Sequence, residues 1–117
     1  MASPIEFYKA CIKQLLGEYE QLKTEWSAAE LVFDDERMRY LVMRTGWFRG
    51  KRIHQCMVHI DICADKIVIQ ANHTERLLDE ELMEMGVPRD KLCLGFIPPQ
   101  MQTETEPTAM IKAFVLA

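Results

Sequence analysis

A chain of 117 residues has room for one domain built around one hydrophobic core. With 49% apolar and 27% charged residues it reads as a soluble globular protein; no window approaches the roughly 18 uncharged apolar residues of a membrane span. The net charge of −4 hides a polarity: residues 37–52 carry six cations and no acid, leaving eight cations against eighteen acids elsewhere.

The start, MASPIEFYKAC, has no basic region followed by an apolar one, so it is not a secretory signal, and the expected location is the cytoplasm. There the scattered Cys11, Cys56, Cys63 and Cys93 would stay reduced and act mainly as small apolar residues.

In chain order, the first element is a helix. Ser3 suits the cap, Pro4 the first turn, and Glu6 completes a capping box. Ile5, Tyr8, Ile12, Leu15, Leu16, Tyr19 and Leu22 then form one apolar stripe, with Gly17 as a candidate for close packing. After KTEWSAAE the period changes to two. ELVFD and RMRYLVMRTGW read as strands joined by a turn at Asp34-Asp35-Glu36, and GWFRGKR as a longer hairpin loop.

The third strand contains the densest set of reactive side chains, in HQCMVHIDICADKIVIQ. Alternation places Cys56, Val58, Ile60 and Ile62 on a core face, and Gln55, Met57, His59, Asp61 and Cys63 on the other. ADK turns the chain into a fourth strand, KIVIQ, paired antiparallel to the third. A second helix follows, with Thr74 as its cap, Leu77, Leu78, Leu82 and Met85 facing inward and Gly86 ending it. VPRDK connects to a fifth short strand, LCLGF.

These elements predict an α+β fold of two layers: a mostly antiparallel sheet of about five strands, with an N-terminal helix and a second helix after strand four. The element order is α-β-β-β-β-α-β. The whole chain, 1–117, is read as a single domain in which residues 100–117 form an irregular or docking tail ending in the apolar AMIKAFVLA.

Metal binding needs about four convergent ligands. His59, Asp61 and Cys63 lie about 6.5–7 Å apart between neighbours on one strand face, so three in a row cannot converge without strain. His59 and Asp61 are therefore read as a structural polar pair, with no metal and no cofactor expected. Cys63 and His59 are some 13 Å apart along a strand, too far for a nucleophile and its base. No phosphate-binding loop, nucleophile elbow or zinc-protease pattern occurs, and the chain is not read as an enzyme. The basic run RTGWFRGKR instead points to contacts, with Trp47, Arg49, Lys51 and Arg52 as candidates. A protein partner is one reading; weak nucleic-acid binding by the basic hairpin 37–52 is the alternative.

An ordered series of short landmarks resembles one family. It comprises Gly46-Trp47, His59-Ile60-Asp61-Ile62, Lys66-Ile67, Ile69-Gln70, Thr74-Glu75, Gly86-Val87-Pro88 and Leu94-Gly95-Phe96. Over residues 5–99 the chain resembles the XisI-like proteins, named for the fdxN element excision controlling factor of cyanobacteria. The resemblance implies a small α+β domain that is an accessory or regulatory protein in programmed DNA element excision, with an XisH-like protein of nuclease fold as partner. No catalytic residues are carried over. Self-association into a homo-oligomer is expected, and no membrane.

The sequence departs from that pattern in three places. Asn72 and His73 stand where relatives tend to have an acidic residue and glycine, Ile97 where they tend to have histidine, and no cation follows soon after Pro99. Any polar site those residues build near the C-terminus of relatives would be weakened or lost.

Overall fold

In the computed structural model, which describes residues 4–98, two helices and a five-stranded sheet share one core. Helix α1 spans Pro4–Gly17 and buries Tyr8, Cys11, Ile12, Leu15 and Leu16, the face their spacing predicts. Ser3 lies outside the described residues. Gly17 marks no close packing, since a Cβ there would meet nothing within 4 Å; the helix tightens instead into a 3-10 turn, Glu18–Gln21. Tyr19 is buried, whereas Leu22 is exposed and uses its backbone carbonyl to accept from Ala29 N–H.

The strands are β1 (Ser27–Asp34), β2 (Arg39–Phe48), β3 (Lys51–Cys63), β4 (Lys66–Asn72) and β5 (Leu92–Leu94), adjacent in that order. The first four pair antiparallel, and β5 joins β4 parallel. The parallel step requires a crossover, supplied by helix α2 (Leu78–Glu84). The order is thus the one the sequence predicts, with a mostly antiparallel sheet.

Three local features differ from the sequence reading. The β2–β3 connection is no longer loop: Phe48 pairs with Lys51, leaving only Arg49 and Gly50, at φ 50° and 77°, in the left-handed region that a two-residue primed turn demands. Helix α2 starts at Leu78, not near Thr74. Thr74 is engaged in a side-chain turn, its N–H and hydroxyl donating to Asn72 Oδ1 while its Oγ accepts from Arg76 N–H. Gly86 does end that helix, at φ 110°: its N–H reaches Met83 O and Val87 N–H reaches Leu82 O, a Schellman pairing.

The third difference is in β3. Val58 stands opposite Val42 but Cys56 opposite Met43, so Met57 is an extra residue, a β-bulge. Val58, Ile60 and Ile62 face the helices and are buried, as alternation predicts. Past the bulge the parity reverses. Cys56 leaves the core row and lies half-buried beside Met43, while Gln55 turns to the helix side opposite Arg44. With Tyr40, Val42, Ile67, Ile69, Leu92 and Leu94, the inward residues form the core against α1 and α2. Each such aliphatic side chain contributes about 2 kcal/mol by leaving water.

Candidate interaction surface

Paired residues on neighbouring strands project to the same side of a sheet. The register therefore defines a second, open face. One row across it is Val32, Leu41, His59 and Ala71; the next toward the hairpin is Glu30, Met43 and Cys56. An antiparallel sheet with one face in water normally alternates apolar-in and polar-out. Here Val32, Leu41 and Met43 break that rule: none belongs to the core, and Val32 is 45% exposed.

At one end of this face sits a polar cluster centred on Asp61, which is only 4% exposed. His59 Nε2 donates to its Oδ1 at 2.7 Å, and Arg39 Nε lies 3.5 Å from the same oxygen. Gln70 Nε2 donates to Oδ2 at 3.2 Å. Gln70 reaches it because a second bulge, between the pairs His59–Ala71 and Ile60–Ile69, leaves Gln70 unpaired and re-aimed. Gly95 makes room: a Cβ there would lie 2.6 Å from Gln70 Oε1 and 3.0 Å from Val68 Cγ1. His59 and Asp61 thus come together. Cys63, two residues further along the strand, is exposed. Burial pushes the Cys56 thiol above its ordinary range, so it is a poor nucleophile. Among the described residues no three His, Cys, Asp or Glu side chains group closely enough to hold a metal ion, and no helix is long and apolar enough to cross a membrane.

At the other end is the β2–β3 hairpin. Its tight turn brings Trp47, Arg49, Lys51 and Arg52 together, all exposed. Arg52 lies 5.4 Å from the Trp47 ring centre and Arg49 lies 5.1 Å from that of Phe48. Trp47 is 59% exposed. Trp26 packs edge-on against Phe48 at 4.9 Å, on the side of the hairpin opposite the Trp47–Arg52 pair. Trp26 precedes β1 in a stretch without periodicity, so nothing local marked it. None of the three hairpin cations forms an ion pair with a described residue of helix α2; one acid of that helix, Glu81, is held by Arg76, which also reaches Glu18.

A sequence model of the family described as XisI protein matches residues 2–108. The chain belongs to the XisI protein family. A crystal structure of an XisI-like protein from Anabaena variabilis ATCC 29413 is 36% identical, with 87% of this chain and 95% of that one covered and a TM-score of 0.81. The fdxN element excision controlling factor XisI of the same organism shares the fold at 24% identity, with 86% and 100% covered and a TM-score of 0.76. No curated protein shows a significant match. Several landmarks that carry the XisI resemblance now have physical reasons. His59, Asp61, Gln70 and Gly95 build the polar cluster, Gly86 ends α2, and Gly46 admits the backbone of Trp26.

Proposed function

We propose that this XisI protein is a non-catalytic accessory subunit that controls excision of a DNA element in the cytoplasm, acting through an XisH-like partner of nuclease fold. A relative of the same fold is described as the fdxN element excision controlling factor, which supports the regulatory role. The observation that carries the contact assignment is the exposed arginine–aromatic hairpin. Tryptophan and arginine are the residues that dominate binding energy at protein interfaces, and here they stand preassembled, Arg52 against Trp47. The non-catalytic reading is supported by the spacing of His59 and the exposed Cys63, four residues apart on one strand and so about 13 Å from each other, too far for a base to activate the thiol. In this reading His59 and Asp61 hold the sheet, and Trp47, Arg49, Lys51 and Arg52 touch the partner.

Co-expression tests it. The chain should co-purify with an XisH-like protein, and Trp47→Ala combined with Arg52→Glu should abolish the complex without loss of the fold. Repeated failure to co-purify would refute the accessory role.

A second reading has an observation of its own: cations and stackable rings without an intervening acid also suit single-stranded nucleic acid. It requires affinity that falls steeply with salt and drops on neutralising Arg49, Lys51 and Arg52. Binding indifferent to salt would remove it.

A further inference from the structure

We infer that the free edge of β1 pairs with the same edge of a second copy of this chain, antiparallel and centred on Val32, so that two sheets become one. This goes beyond the accessory-subunit reading and does not rest on it.

The backbone groups of successive strand residues point to alternate edges. Trp26 O, just before β1, accepts from Trp47 N–H on the β2 side, whereas Ala29 N–H donates to Leu22 O on the other. The odd-numbered residues of β1 therefore face away from β2. At the start of the strand that edge is occupied: Ser27 O accepts from Thr24 N–H, Ser27 N–H donates to Thr24 Oγ1, and Lys23 bridges Ala28. Beyond Ala29 the cover stops. Among the described residues, nothing bonds to the N–H or C=O of Leu31 or Phe33.

Native sheets blunt such an edge with a proline, a lysine, a bulge or a very short strand. At the opposite edge β5 is three residues long. β1 has eight, pairs with β2 without a register shift, and reads Leu31-Val32-Phe33 where it is free. It is apolar on both faces there. Leu31 and Phe33 pack half-buried against the core on the helix side, while Val32 is 45% exposed on the open side. An exposed hydrophobic edge of this kind is a template for another strand.

Its own copy fits in one register. Centred on Leu31, the pairing would set Phe33 of the second copy opposite Ala29, where Leu22 already sits; centred on Phe33, it would use Asp35, which lies in the turn. Centred on Val32, Leu31 N–H donates to Phe33 O of the second copy and Leu31 O accepts from its Phe33 N–H. The two-fold axis repeats the exchange, so the N–H and C=O of both residues are satisfied. Val32 then meets Val32 in the close, non-hydrogen-bonded kind of pair, about 4.5 Å between Cα atoms. Leu31 meets Phe33 on the helix side. Against the pairing, Glu30 falls opposite Asp34, although Arg37 Nη1 already holds Asp34 at 3.0 Å. The contact is small beside the ~800 Å² per partner of a standard interface, so dissociation is expected in the micromolar range.

Sedimentation equilibrium of the full chain should show monomer and dimer in exchange below about 500 μM. Val32→Glu, which sets two carboxylates face to face on the two-fold axis, should leave monomer only, with an unchanged circular dichroism spectrum. Glu30→Lys, which turns the like-charge pair into an opposite one, should lower the dissociation constant at least fivefold. In a Cys63→Ser background, Val32→Cys should oxidise to a species of dimer mass and Glu30→Cys should not. A chain monomeric at every concentration, a dimer that survives Val32→Glu, a dissociation constant unmoved by Glu30→Lys, or equal crosslinking of the two cysteine variants would each overturn the inference, whether or not an XisH-like protein binds.

Discussion

The carbonyl oxygen of Trp26 lies where Gly46 would carry a Cβ, at 1.8 Å from that ideal position. The close approach lets Trp47 N–H donate to the same oxygen at 2.8 Å, tying the segment before β1 to the base of the basic hairpin. The obstructing atom belongs to the backbone, so no rotamer change relieves it. Gly46→Ala should destabilise the fold by about 3 kcal/mol, from overpacking plus a lost hydrogen bond. Denaturant unfolding measures this; an unchanged midpoint would mean that Trp26 does not sit there.

Asp61 is nearly buried and has three polar neighbours: His59, Arg39 and Gln70. Removing the carboxylate leaves those donors without it, so Asp61→Ala should cost about 2 kcal/mol. Gly95→Ala should reproduce part of this loss by pressing on Gln70, and it should be partly relieved in Gln70→Ala. A double-mutant comparison of unfolding midpoints reads that coupling; strict additivity would separate the two sites.

Acid and alkali act on one contact. Asp35 accepts from Lys13 Nζ at 2.9 Å and from the Tyr40 hydroxyl at 2.7 Å, linking α1 to the sheet. Those hydrogen bonds, Lys13 first, hold the Asp35 carboxyl below its usual range. Its contribution to stability is therefore present above the unfolded value of about 3.9 and lost as pH falls below it. Burial, then the Asp35 bond, raises the Tyr40 hydroxyl well above the tyrosine range. That contribution is full below an unfolded value of about 10 and lost as pH rises past it. Asp35→Asn should flatten the acid limb and Tyr40→Phe the alkaline limb of a plot of unfolding midpoint against pH. Limbs identical to those of the parent would exclude the contact.

Two of the hairpin turns are two-residue turns that open on a non-glycine residue in left-handed backbone: Arg49 at φ 50° before Gly50, and Ala64 at φ 50° before Asp65. Asparagine tolerates that conformation better, so Arg49→Asn and Ala64→Asn should each stabilise by about 1 kcal/mol. Thermal melts would register both gains. Only Arg49→Asn should also weaken partner binding, because only that turn displays a cation over Phe48. Equal effects of the two on binding would detach the hairpin tip from function.

The order of elements was legible because periodicity is strong where burial is complete. Ile12, Leu16, Val58, Ile60 and Ile62 are all nearly inaccessible, and their spacing alone defines α1 and the core face of β3. What escaped reading lies where one residue changes the period. The bulge at Met57 reverses parity, and nothing in QCMV distinguishes an extra residue from a regular strand, so alternation alone puts Cys56 inward. The sequence suggests a longer hairpin loop because Arg49 is an unusual residue for a two-residue turn. Thr74 resembled a helix cap because the same hydroxyl serves an Asn72–Thr74 turn equally well. Of the interaction surface, Trp47 and its cations were legible as a basic aromatic run. Trp26 and Gln70 were not, since distant strands bring them in.

The most direct measurement is the dissociation constant between this chain and an XisH-like protein, for the parent and for Arg49→Glu/Arg52→Glu. Both cations are exposed, so the pair of changes should leave the unfolding midpoint within about 0.5 kcal/mol of the parent. A measurable complex weakened at least tenfold by the two substitutions is the expected result. No complex at all, or equal affinity with and without the two arginines, would contradict it.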